Sequence, residues 1–124
     1  MKKIIPAGNL PFSKGILHDL KYHMEISGQV GLGSDGKLKE GIENQTNQAL
    51  ENVKKILKEV GWDFSNLTKV RIFLKNMKDY EKVNELYSEH FSSDFPTRVA
   101  LAVAELPLGA LIEIDCTAAG SKID

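Results

Sequence analysis

Hydrophobic and polar residues alternate along four stretches of the chain, which cover residues 21–27, 67–75, 97–106 and 110–118. Because successive side chains of a strand point to opposite faces of a sheet, each stretch predicts a strand with one buried face. The residues predicted to be buried in the first two strands are Tyr22, Met24 and Ile26, and Val70, Ile72 and Leu74.

Two other segments have the three- and four-residue spacing of an amphipathic helix. The apolar stripe of residues 41–60 consists of Ile42, Thr46, Ala49, Leu50, Val53, Ile56, Leu57 and Val60. Gly61 follows at a position suited to a left-handed C-terminal cap. Asp79 is expected to cap a second helix of about 12 residues. The side chains that this helix turns inward are Tyr80, Val83, Leu86, Tyr87 and Phe91.

The order of these elements predicts an α+β fold, with a mixed sheet and both helices on one face. A short turn at residues 106–109 is expected to join the last two strands as a hairpin. By parity, Val99 and Leu101 are assigned to the helix side of this hairpin, and Arg98, Ala100 and Glu113 to the side without helices. Alanines on an open face permit close approach by another protein surface, so an oligomer is expected.

Composition restricts the function classes. The 124 residues are 42% hydrophobic and 27% charged, which fits one globular domain over residues 1–124. The formal net charge of −1 provides no general attraction to nucleic acid or to anionic membranes. Cys116 is the only cysteine, so internal disulfides and Cys-x-x-Cys motifs are excluded and a cytoplasmic setting is favoured. The three histidines lack metal-ligand spacing, and no metal is expected.

Arg98 is one of only two arginines among 16 basic residues, and it lies in an apolar strand. A guanidinium removed from water needs an anionic partner. The sequence leaves two partners open: Glu113 or Asp115 in a structural ion pair, or the carboxylate of a ligand. Arginine offers a carboxylate two parallel N–H donors, which lysine cannot do.

Five short motifs resemble the Rid family, the reactive intermediate deaminases that are also called YjgF-like or L-PSP-like proteins. They are SGQV at 27–30, NVKKILKEVG at 52–61, VNELY at 83–87, FPTR at 95–98 and LIEID at 111–115. The most specific is the Phe-Pro-x-Arg strand, followed some fifteen residues later by Ile-Glu-Ile. The resemblance covers nearly the whole chain, in family order.

This resemblance implies a chorismate-mutase-like fold of the bacillus type and a homotrimer with clefts between subunits. It also implies hydrolysis of 2-imino acids, such as 2-iminobutanoate and 2-iminopropanoate, to 2-oxo acids and ammonia. Neither a cofactor nor a metal is implied. The sequence leaves open whether the functional residues of one cleft come from one subunit or from two.

The resemblance also implies roles for individual residues. Arg98 matches the arginine that holds the substrate carboxylate, and Glu113 matches the glutamate that positions the attacking water. The residues expected to line the cleft are Ser27, Gly28, Asn84, Ala100 and Phe12. Two of them depart from the family pattern, since Phe12 stands where many members have tyrosine and Ala100 where many have cysteine.

Two other functions remain open at this stage. One is a single-strand endoribonuclease or translation inhibitor, an activity attached to parts of the family. The near-neutral charge and the lack of a basic, aromatic strip disfavour it. The other is a non-catalytic trimer that binds small carboxylates as a sensor.

Overall fold

The computed structural model describes all residues from 1 to 124. The strands are β1 (Lys2–Pro6), β2 (Ser13–His18), β3 (Tyr22–Val30), β4 (Leu67–Leu74), β5 (Thr97–Ala102) and β6 (Ile112–Gly120), and the helices are α1 (Gly41–Lys58) and α2 (Tyr80–Ser88). The strands form one mixed sheet in the order β1-β2-β5-β4-β6-β3. Strand β5 runs parallel to β2 and β4, and the other pairs are antiparallel. No helix is long and apolar enough to cross a membrane.

The core lies between the sheet and the two helices, which cover the same face. Val70, Ile72 and Leu74 of β4 are at most 1% exposed, as the alternation predicts. Both helices turn their apolar stripes onto this face, so the predicted mixed sheet with two helices on one side is confirmed. Cys116 of β6 is buried here, and burial raises the pKa of its thiol to about 12.

The first two strands were not predicted from the pattern. Strands β1 and β2 pair with each other at the edge of the sheet and carry lysines and few buried residues. An edge strand with both faces partly in solvent does not need strict alternation, so its sequence gives little periodic signal.

The predicted hairpin between the last two strands is wrong. Strand β4 lies between β5 and β6 and pairs with both. The connection between them contains a short 3₁₀ turn at Pro107–Gly109 and spans the width of β4. This central position gives β4 hydrogen-bonded neighbours along both edges.

Helix α2 is shorter than predicted, and its cap is different. It has nine residues and follows a 3₁₀ turn at Met77–Asp79. The side chain of Asn76 accepts a hydrogen bond from the backbone N–H of Lys78 at 2.9 Å, whereas Asp79 makes no cap bond. Phe91 lies beyond the helix but still packs inward, with its ring centroid 4.9 Å from that of Tyr87.

Candidate functional site

The structure reverses the predicted faces of β5. Arg98 lies beside the buried Val70 of β4, so Arg98 and Ala100 point toward the helices. Val99 and Leu101 point to the helix-free side of the sheet, here called the open face, and are 41% and 40% exposed. Tyr80 and Tyr87 of α2 lie beside the guanidinium on the helix side.

Three aromatic rings surround the guanidinium of Arg98. Its Cζ atom lies 5.0 Å from the ring centroid of Tyr87, 5.6 Å from that of Phe12 and 5.7 Å from that of Tyr80. These distances are within the range of cation–π attraction. The rings therefore stabilise the positive charge while they partly exclude water from it.

Hydrogen bonds fix one end of the guanidinium. Nη2 of Arg98 donates to Oδ1 of Asn84 at 2.7 Å and to the hydroxyl of Tyr80 at 3.3 Å. Nη1 is buried and has no hydrogen-bond partner. A buried donor on a charged group is costly to leave unpaired, so this nitrogen is suited to an incoming anion.

No carboxylate of the chain pairs with Arg98. Asp115 instead forms an ion pair with Arg71 on the open face, where its Oδ1 lies 2.7 Å from Nε. The structural ion pair that the sequence left open for Arg98, with Glu113 or Asp115, is therefore absent within the chain. Within one chain, Arg98 therefore has no anionic partner.

Glu113 lies on the other side of the sheet. In β6 it is opposite Phe73 of β4 and Val30 of β3, and it makes no hydrogen bond or ion pair. Its carboxylate lies directly above Gly28, where a Cβ atom added to the glycine would come within 2.3 Å of Oε2. Ser27 is exposed beside Gly28, at the point where the register of β3 shifts.

The predicted site residues thus form two separate groups. The arginine half-site consists of Arg98, Phe12, Asn84 and Ala100, together with Tyr80 and Tyr87. The glutamate half-site consists of Glu113, Ser27 and Gly28. On β4, Arg98 is paired with Val70 and Glu113 is paired with Phe73. Val70 and Phe73 are an odd number of residues apart, so their side chains point to opposite faces of the sheet. The half-sites therefore lie on opposite faces of one sheet, and a single chain does not bring them together.

Tyr80 and Tyr87 were predicted only as inward-facing residues, and their contact with Arg98 was missed. The signal was their spacing, since Tyr80, Asn84 and Tyr87 recur at four and three residues and so share one face of α2. Tyr87 is fully buried, and its hydroxyl has no partner. Burial raises the pKa of this phenol far above its usual range, although the charge of Arg98 opposes the shift.

Three clefts of about 410–510 Å³ mark the surface of the single chain. None of the three is lined by a residue of either half-site. The one lined by Phe64, His90 and Phe91 lies near the ends of both helices, where burial lowers the pKa of His90.

The fold and the half-sites define a class: a one-sheet α+β protein with a partly buried arginine that has no anionic partner in its own chain. Residues 4–120 match the family model described as endoribonuclease L-PSP, and the chain belongs to this family. It is 42% identical over 110 residues to the human 2-iminobutanoate/2-iminopropanoate deaminase, and this match covers 87% of the chain and 79% of the human protein.

Solved structures have the same fold. The crystal structure of the YjgF gene product from E. coli matches with a TM-score of 0.74 and 31% identity, covering 93% of this chain and 92% of that one. The crystal structure of RidA from an Antarctic Psychrobacter species matches with a TM-score of 0.78 and 29% identity, covering 93% of each chain. The family predicted from the sequence motifs is thereby confirmed.

Proposed function

We propose that this protein hydrolyses reactive 2-imino acids, such as 2-iminobutanoate and 2-iminopropanoate, to 2-oxo acids and ammonia. The observation that carries the proposal is the unpaired guanidinium of Arg98, held among three aromatic rings with Nη1 free. The human relative, whose name states this activity, supports the choice of substrate class.

Arg98 would bind the substrate carboxylate. Asn84 and Tyr80 hold Nη2 in place, and the free Nη1 is the neighbouring donor of the same planar fork. A carboxylate matches such a fork with two parallel, charge-assisted hydrogen bonds. Because the fork is held before the ligand arrives, little conformational entropy is lost on binding.

Glu113 would come from a neighbouring subunit. The two half-sites lie on opposite faces of one sheet, so a cleft that contains both requires a second copy of the chain. In the homotrimer that we propose, Arg98 of one subunit and Glu113 of the next face the same cleft. The freedom of Glu113 from any partner within its own chain leaves its carboxylate available for such a role.

Arg98 and Glu113 would then suffice for hydrolysis of the imine. With the carboxylate fixed on Arg98, the imine carbon lies at a defined distance from a water held by Glu113. Glu113 takes a proton from this water as its oxygen attacks the carbon of the protonated imine. Glu113 returns this proton to the nitrogen of the resulting carbinolamine, and the C–N bond breaks as the hydroxyl oxygen forms the C=O bond. The hydroxyl proton is then passed through Glu113 to the departing ammonia, so the products are the 2-oxo acid and ammonium and Glu113 is again a carboxylate. Positioning of this kind can lower a barrier by several kcal/mol, and proton transfer adds to it.

The direct test replaces Arg98 by lysine, which keeps the charge and removes the fork. An amino-acid oxidase generates the imine, and release of ammonia and trapping by semicarbazide report its hydrolysis. Arg98→Lys should lower kcat/KM about 10- to 100-fold, as expected for the loss of a charge-assisted hydrogen bond. The matched control is Arg71→Lys, which retains a cation beside Asp115 and should retain activity.

Two results would contradict the proposal. Near-normal turnover by Arg98→Lys would show that the fork is not needed. Saturable binding of 2-oxobutanoate without faster imine decay would identify the protein as a carboxylate sensor rather than an enzyme.

A further inference from the structure

We propose that Tyr80 is a further ligand-binding residue of this site, whose hydroxyl donates a hydrogen bond to the carboxylate of the ligand. The inference rests on the proposed function, since it takes the ligand to be a small 2-oxo or 2-imino acid bound by Arg98. It assigns to α2 a hydroxyl that the family resemblance would place at residue 12, where this chain has phenylalanine.

The first observation is the state of the Tyr80 hydroxyl. Its oxygen accepts a hydrogen bond from Nη2 of Arg98 at 3.3 Å, and the hydroxyl donates to no group in the chain. A phenol can accept and donate at once, so the proton of Tyr80 remains available beside the guanidinium. Acceptance from a cation also polarises the O–H group and makes it a better donor.

The second observation is the unequal length of the two bonds on Nη2. Asn84 holds this nitrogen at 2.7 Å, whereas Tyr80 is 0.6 Å farther away. A carboxylate that bridges Nη1 and Nη2 would compete with the longer bond and leave the shorter one intact. The Tyr80 hydroxyl then turns its proton toward a carboxylate oxygen, which gains a donor besides the fork.

The third observation is that two rings from different segments lie at similar distances from Arg98. The centroids of Phe12 and Tyr80 lie at nearly equal distances from Cζ, 5.6 and 5.7 Å. One ring comes from the segment before β2 and the other from α2. Of these two, only Tyr80 carries a hydroxyl, so it can supply the donor that Phe12 lacks.

The experiment measures binding rather than turnover. 2-Oxobutanoate is titrated calorimetrically into the wild-type protein, Tyr80→Phe, Phe12→Tyr and the double variant that combines them. Removal of one hydrogen bond to a charged group should raise the Kd of Tyr80→Phe about tenfold. The double variant should return to within about twofold of the wild type, because the hydroxyl is restored from the other side of the ligand.

Tyr22→Phe is the matched control. Tyr22 is a half-buried tyrosine at the start of β3, and its hydroxyl makes no hydrogen bond within the chain. Its loss should leave the Kd unchanged. Thermal melts of every variant check that the fold is intact, since a tyrosine-to-phenylalanine change leaves the ring in place.

The outcomes separate this inference from the proposed function. If the wild type binds 2-oxobutanoate and Arg98→Lys does not, an unchanged Kd for Tyr80→Phe overturns the inference alone. The inference is also overturned if Tyr80→Phe raises the Kd and the added Phe12→Tyr substitution does not lower it again. Tyr80 would then act only by holding Arg98. If the wild type binds no small carboxylate, the proposed function fails and the inference fails with it.

Discussion

Gly28 leaves the space in which the carboxylate of Glu113, the group proposed to hold the attacking water, lies. The carboxylate of Glu113 occupies the space that a Cβ atom at residue 28 would need. The colliding atoms belong to the far end of a flexible side chain, so an added methyl group would push the carboxylate aside rather than disrupt the sheet. This close approach, rather than backbone freedom, is what requires glycine here.

Gly28→Ala should therefore lower imine hydrolysis with little loss of stability. A displacement of Glu113 by about 1 Å can reduce turnover roughly 10- to 100-fold. The measurements are kcat with the coupled assay and the midpoint of thermal unfolding. Gly15→Ala in β2 is the matched control, since its Cβ would meet only Cδ1 of Ile5 at the ordinary contact distance of 3.6 Å. Unchanged kcat in Gly28→Ala would remove Glu113 from the proposed mechanism.

At this scale the sequence predicted the face of Glu113 correctly and the face of Arg98 wrongly. Arg98 was singled out because arginine is rare in a lysine-rich chain, and the structure leaves it unpaired. Its face was predicted wrongly, because Val99 and Leu101 are bulkier than the alanines and were assigned to the core. The space on the helix side is filled by Tyr80 and Tyr87, which strand parity alone does not reveal.

Among the elements, long periodic segments were predictable and edge segments were not. Helix α1 and strands β3 and β4 bury one face against the core, which imposes the period that the pattern detects. Strands β1 and β2 form an edge and are under no such constraint. The alternation within each strand would be the same in any order of the strands. The pattern therefore could not show that β4 lies between β5 and β6.

The end of α1 offers a prediction at the scale of the element. Gly61 has φ +76°, the left-handed conformation that ends a helix, and the N–H of Trp62 bonds to the carbonyl of Leu57 at 3.0 Å. Gly61→Ala should reduce the free energy of unfolding by about 1–2 kcal/mol, because a Cβ atom disfavours this conformation. Urea denaturation followed by circular dichroism measures the loss.

Gly61→Asn is the comparison for this prediction. Asparagine tolerates the left-handed region better than alanine, so it should lose less stability than Gly61→Ala. Equal losses in the two variants would point instead to contact with Asp124, whose carboxylate lies 2.2 Å from the position of an added Cβ.

At the scale of the whole molecule, the open face is a side of the sheet that the chain itself leaves uncovered. Val99 and Leu101 are about two-fifths exposed on a sheet face that neither helix covers. The residues that could form a subunit interface on this face are therefore Val99 and Leu101, and not the alanines from which the oligomer was predicted. The two half-sites on opposite faces give a second, independent reason to propose a homotrimer.

Leu101→Lys should convert the proposed trimer to monomers, because a charge in an apolar interface loses its hydration without gaining a partner. Light scattering should give three times 13.8 kDa for the wild type and 13.8 kDa for the variant. Circular dichroism should show a folded chain, and imine hydrolysis should be lost.

Ile123→Lys is the control for this experiment. Ile123 is 51% exposed but lies near the end of α1, away from the open face. It should leave both mass and activity unchanged. A wild-type protein that is monomeric and active would contradict the shared cleft.

The position of the single sulfhydryl has a consequence for chemical durability. Cys116 is sealed in the core, and its thiol stays protonated at neutral pH. None of the residues of either half-site contains sulfur, and residue 100, where the family resemblance implies a cysteine in many members, is alanine. Peroxide, which attacks thiolates, thus finds no target among the groups proposed to bind and hydrolyse the substrate. If the proposed function is correct, imine hydrolysis should persist at peroxide concentrations that inactivate an enzyme with a reactive thiol.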